Sequence, residues 1–205
     1  MALVHQATLT PSKLELLGNW LPGRPWFRES GELTRVGSYR FDDPAGEVGI
    51  EIMLVQSGSS VLQVPLTYRA KPLAGAEDYL MGTMEHSVLG SRWIYDGCGD
   101  PVFVSALATA ILTGASEAIV EVEVAGEMTV LPSTVSVKGS GQVGTTVPVI
   151  GSVSAVDEGV VTIVSTGSFQ LHVARNVEAQ LSAPFLLTAS WEGRANVPVM
   201  GLTLR

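Results

Sequence analysis

A chain of 205 residues that is 46% hydrophobic and only 16% charged has ample apolar material for a core and too little charge for a disordered protein. Its formal net charge is −8, with Lys13, Lys71 and Lys138 as the only lysines, so no basic run exists to contact phosphates and neither nucleic acid nor an anionic membrane is expected as a partner. Cys98 is the only cysteine, which excludes an internal disulfide and a four-thiolate zinc site. The first residues lack a basic region followed by an apolar stretch, and the longest apolar segment, 102–112, falls far short of the roughly 20 residues that span a bilayer, so a cytoplasmic protein is expected.

Thr10-Pro11 predicts a helix start, because Thr can cap and Pro at the first helical position gives up no needed hydrogen bond. Leu14, Leu17 and Leu21 then share a face, and Pro22-Gly23 ends the element. Val48, Ile50, Ile52 and Leu54 alternate at period two, as do Leu62, Val64, Leu66 and Tyr68 after the turn-like run at 57–60, which predicts a hairpin. Asp100-Pro101 is a second helix start and Gly114 a C-cap, and the apolar residues between them surround the helix, so it should be buried against a sheet.

From residue 118 onward the pattern is almost wholly β. Val120, Val122 and Val124 alternate with Glu121 and Glu123, and Phe169, Leu171 and Val173 alternate with Gln170 and His172. Short strands joined by turns favour antiparallel meanders. The expected fold is α+β: a mainly antiparallel β-sheet with two or three helices and a C-terminal half almost entirely β. The natural division lies near residue 115, with 116–205 continuing the sheet of 1–115 in a single compact domain.

Gly139-Ser140-Gly141-Gln142-Val143-Gly144 matches G-x-G-x-x-G, but a strand-like, proline-containing run follows where a dinucleotide site needs a helix. No lysine follows Lys138 to hold phosphates in the kinase manner, so an inter-strand loop is expected. His5, His86 and His172 have no metal-ligand spacing, and His86 beside Ser87 lacks a G-x-S-x-G elbow. His172 sits on the polar face of its strand, where a solvated side chain is expected. Cys98 falls in a turn just before a helix start, where an inert role outweighs a nucleophilic one. The acidic pairs Asp42-Asp43 and Glu77-Asp78 read as turn residues. No cofactor is expected.

Gln63-Val64-Pro65-Leu66-Thr67-Tyr68-Arg69, Pro72-Leu73-Ala74-Gly75-Ala76-Glu77 and the run from His86 through Trp93-Ile94-Tyr95-Asp96 to Asp100-Pro101-Val102 resemble the N-terminal cap domain of actinobacterial maltokinases. Trp20-Leu21-Pro22-Gly23-Arg24-Pro25-Trp26-Phe27 looks like the usual start of that cap, and the resemblance spans residues 14–125, with a fainter echo at 188–193. It implies a curved antiparallel sheet with helices that holds none of the kinase's catalytic residues. Maltokinases phosphorylate maltose with ATP and feed α-glucan synthesis through a two-lobed kinase fold that follows the cap. The catalytic-loop motif, the later metal-binding Asp motif and the phosphate lysine do not occur here. The expectation is therefore a cap without its kinase: a non-catalytic interaction or regulatory module whose partner is a sugar kinase or glucan-metabolism enzyme.

The alternative is a free-standing protein that binds a small or sugar-like ligand in its curved sheet, with Trp20, Trp26, Trp93 and Trp191 as a stacking surface. The segment carrying His86, Arg92, Trp93, Tyr95, Asp96 and Asp100 is the candidate interaction or structural motif, with Arg92 expected to pair internally with Asp96 or Glu85.

Overall fold

A computed structural model describes residues 2–4, 7–29, 31–124 and 127–205. His5 lies outside them. β1 (Ala2–Val4), β2 (Leu9–Thr10) and α1 (Lys13–Trp20) open the chain. β3 (Thr34–Phe41), β4 (Gly49–Ser57), β5 (Ser60–Arg69), β6 (Leu80–His86) and β7 (Gly90–Asp96) precede α2 (Pro101–Thr113). The remainder is β: β8 (Val120–Val124), β9 (Glu127–Leu131), β10 (Ser136–Gly139), β11 (Ser154–Glu158), β12 (Val161–Ser165), β13 (Phe169–Ala174), β14 (Phe185–Trp191) and β15 (Arg194–Leu204).

Among the described residues, the strands form two six-stranded antiparallel sheets and a small third one. The first, strongly curled, has the order β2-β6-β7-β5-β4-β3, and the second β10-β14-β15-β13-β12-β11. The C-terminal strands thus build their own sheet instead of continuing the first, which corrects the expected continuity. Leu62 and Asn176 form an isolated bridge between the two. The third sheet, β1-β8-β9, contains a parallel pair, β1 with β8, that an all-meander reading misses.

β4 shows why the first sheet needs cover on both sides. Ile50, Ile52 and Leu54 point to a core shared with α2 and the second sheet, while Met53 and Val55 pack with α1, Trp20 and Trp26 on the other face. A strand buried on both faces reads as a continuous apolar run, as here. The predicted hairpin forms, β4 pairing β5 from Gly49–Tyr68 to Ser57–Ser60, with Gly58 supplying the positive φ of 54° that a tight hairpin turn requires.

α1 begins two residues later than expected. Ser12, not Thr10, is the N-cap, and Ser12 and Glu15 form a reciprocal capping box. Leu16, Leu17 and Trp20 carry its buried face. α2 matches its sequence signals at both ends: the Asp100 carboxylate accepts the Val102 N–H at 3.0 Å, Pro101 follows, and Gly114 closes the helix at φ 68°. Phe103, Val104, Leu107, Ala108 and Ile111 are fully buried between the two sheets, so this helix is the spine of the main core.

Candidate functional site

The six residues of the 86–100 motif do not converge on one point. His86 ends β6, and its Nδ1 accepts the N–H groups of Val88 and Leu89 at 3.2 and 3.1 Å, fastening the β6–β7 turn. The neighbouring Ser87 hydroxyl accepts the Thr8 N–H at 3.0 Å. Trp93 is half-buried opposite Thr83 and Arg69. The Tyr95 hydroxyl accepts the Leu73 N–H at 2.9 Å. Asp100 is fully buried and takes a two-pronged contact from Arg69 at 2.7 and 2.6 Å while capping α2.

Arg92 behaves differently from expectation. It donates to the Ser91 carbonyl at 2.9 Å, whereas Glu85 accepts the Ser91 hydroxyl and Asp96 is taken by Arg175. Register explains the missing Glu85 pair, because Glu85 sits opposite Ser91 and so points to the other face from Arg92. Asp96, four residues along the strand from Arg92, is already held by a cation from the second sheet.

That cation is the residue sequence reasoning missed. Arg175, at the end of β13, is 1% exposed and donates to Asp96 at 2.5 Å and to the Thr162 hydroxyl at 2.6 Å. Its guanidinium lies 4.9 Å from the Trp26 ring, which is itself 5.9 Å from Trp20. Gln63 makes a second polar link between the sheets: it accepts from the Tyr39 hydroxyl and donates to the carbonyls of Ala174 and Val199. Cys98 is enclosed at this junction, where burial pushes its thiol well up and keeps it protonated, the opposite of a nucleophile's environment. Trp20 and Trp26 are core residues, and Trp93 and Trp191 are half-buried on other elements, so the four do not form one stacking surface.

The glycine motif clamps a helix end. Gly141 N–H donates to Ile111 O and Gln142 N–H to Leu112 O, both at 2.9 Å, satisfying carbonyls that the C-terminus of α2 leaves open. A phosphate loop sits at a helix N-terminus, where N–H groups point outward, whereas this one meets the carbonyl end. The loop at 139–144 is thus structural, as its sequence context indicates. Asp43 likewise holds its own turn, accepting the N–H groups of Ala45, Glu47 and Val48, each at 3.0 Å.

A polar cavity of about 720 Å³ lies where α1, β3, the 42–48 turn and the β6–β7 hairpin meet. Beside it, Glu51, 1% exposed on β4, receives Lys13 Nζ at 2.6 Å, Arg40 at 2.8 Å and the Tyr68 hydroxyl at 2.9 Å, all on one oxygen. Lys13, Arg40 and Tyr68 line the cavity together with Arg92, His86, Asp42 and Glu47. Burial works to raise the Glu51 carboxyl, but Arg40, Lys13 and the hydrogen bonds outweigh it and hold its pKa at about 2. Burial pulls the Lys13 ammonium below the usual lysine value. The acidic position in an apolar strand reads as solvent-facing, and Met53 and Val55 on its own face are the one sequence signal that this side is also buried.

This cluster has a pH signature. The folded pKa of Glu51 is depressed, so its stabilisation is complete above its ordinary value of 4.5 and is lost as pH falls toward about 2. Wild type should lose on the order of 2–3 kcal/mol more than Glu51→Gln between about pH 6 and about pH 2. Urea denaturation across that range checks it, and parallel curves for the two proteins would refute the charged cluster.

Among the described residues, no group of three or more His, Cys, Asp or Glu side chains is placed to hold a metal ion. No helix among them is long and apolar enough to cross a membrane. The fold and its wiring define an α+β protein in which a curled sheet is locked to a second sheet by the buried Asp96–Arg175 ion pair and the Gln63 hydrogen bonds. Residues 20–100, less than half of the chain, match the family model of the maltokinase N-terminal cap domain. The match contains β3 to β7 and ends on Asp100, the N-cap of α2. No curated protein matches the chain in sequence.

Proposed function

We propose that this protein is a non-catalytic, cap-like interaction or regulatory module of sugar-kinase and α-glucan metabolism, acting in the cytoplasm. The observation that carries the reading is the cap-domain match over residues 20–100. The polar residues of the matched motif support it. Arg69, Tyr95, Asp96 and Asp100 are engaged in holding turns, a helix cap and the inter-sheet junction, which leaves them no part in acid, base or nucleophile work. The glycine loop's place at a helix C-terminus argues against nucleotide binding in the same way.

Two measurements test this reading. Phosphoryl transfer needs positioned metal ligands and a phosphate-neutralising cation, so titration calorimetry with Mg-ATP should show no saturable heat at about millimolar nucleotide. The protein immobilised and washed with native cytoplasm should retain an enzyme that phosphorylates a sugar with ATP, identified by mass spectrometry and by assay of the eluate. Micromolar Mg-ATP binding would restore a kinase. Retention of no sugar-phosphorylating enzyme would remove the proposed partner. The alternative, a small-ligand-binding protein, is favoured by one observation: the polar cavity beside Glu51.

A further inference from the structure

We infer that the cavity beside Glu51 binds a small hydroxyl-bearing anion of the sugar-phosphate or sugar-acid class. The inference rests on the small-ligand alternative, not on the kinase partner.

Three cations reach this cavity from three separate elements: Lys13 from the first turn of α1, Arg40 from β3 and Arg92 from β7. Two of them are fixed by the same buried carboxylate oxygen of Glu51, so they are held in place before any ligand arrives. Preorganised charge of this kind costs little further ordering when an anion binds. Arg40 uses one N–H of its five on Glu51, and Arg92 uses one on the Ser91 carbonyl, leaving donors suited to a planar or tetrahedral oxyanion. Glu51 balances only one of the two cations it holds.

The same cavity also carries an acceptor, Glu47 on the exposed 42–48 turn. Bare phosphate would meet this carboxylate unfavourably, and a neutral sugar would leave the cations uncompensated. A molecule that carries both an oxyanion and hydroxyl donors satisfies both kinds of group. A volume of about 720 Å³ accommodates a mono- or disaccharide of that kind.

The test is calorimetry on the purified full chain with glucose 1-phosphate, glucuronate, maltose and inorganic phosphate. Glucose 1-phosphate or glucuronate should bind saturably below about 1 mM, and whichever is tighter identifies phosphate or carboxylate as the anionic head. Maltose and inorganic phosphate should be weaker by about tenfold or more. Arg92→Ala should weaken the best ligand about tenfold with little change in Tm, because this side chain makes no carboxylate pair; Arg194→Ala, on the second sheet, should leave it unchanged. The inference falls if no probe binds up to about 10 mM, if maltose or phosphate binds equally well, or if Arg92→Ala leaves affinity unchanged. Because the assay contains no partner protein, a failure here leaves the sugar-kinase reading standing, and a failed retention experiment leaves this one standing.

Discussion

Replacing Arg175 with methionine should lower the unfolding free energy by about 3–5 kcal/mol. The guanidinium is 1% exposed and is the cation facing Asp96, 5% exposed, so its loss strands a carboxylate away from water. It also removes the donor to Thr162, whose hydroxyl donates in turn to Asp157, and the cation over Trp26. The double variant Arg175→Met with Asp96→Asn separates the two contributions. Asparagine keeps an oxygen that can accept the Cys98 N–H but carries no charge to strand, so it should recover more than half of the loss. Chemical denaturation of the two variants and wild type measures both. A loss below about 1 kcal/mol for the single variant would mean that water reaches Asp96 and that the sheets are not locked there.

Gly141→Ala should be comparably damaging for a different reason. An added Cβ would lie 1.9 Å from the Leu112 carbonyl oxygen and 2.3 Å from its carbon, and both are backbone atoms of α2 that cannot swing aside. The loop must withdraw, and the N–H donations from Gly141 and Gln142 to the last carbonyls of the helix are lost with it. Steric displacement plus uncapped carbonyls should cost about 3 kcal/mol or more. Gly151→Ala is the control, since nothing lies within 4 Å of its added carbon, and it should change stability by less than about 0.5 kcal/mol. Equal stability for the two variants would show that the loop does not clamp the helix.

How much of this was readable beforehand depended on whether a signal is local. The caps and apolar girdle of α2, the β4–β5 hairpin and the β-rich C-terminal half are local patterns, and the structure contains them. The glycine motif could be denied a nucleotide role from its following residues alone, though not given its place against α2. Arg175 was hidden because a strand-end arginine looks the same in sequence whether it meets solvent or a buried aspartate 79 residues earlier. Glu51 was hidden by the usual alternation rule, which assigns polar positions outward and fails on a strand covered on both faces. The start of α1 moved because Thr10 and Ser12 both offer caps, and only Ser12 has Glu15 three residues on to reciprocate. The separation of the two sheets was not legible, since strand patterns specify faces and not which strand pairs with which.

The location of α2 separates the length of chain that is recognisable from the length that is self-sufficient. The family-matched stretch stops on the residue that caps this helix, yet the side chains of Ile50, Ile52 and Leu54 inside that stretch are covered by the helix and by Leu171, Leu187 and Met200 from the far end of the chain. Transplanted into another protein, residues 20–100 would arrive with one wall of their sheet bare and with Asp96 deprived of its counter-charge. The smallest portable piece therefore runs through β15, and what inheritance marks as a module is only the front wall of what physics treats as one.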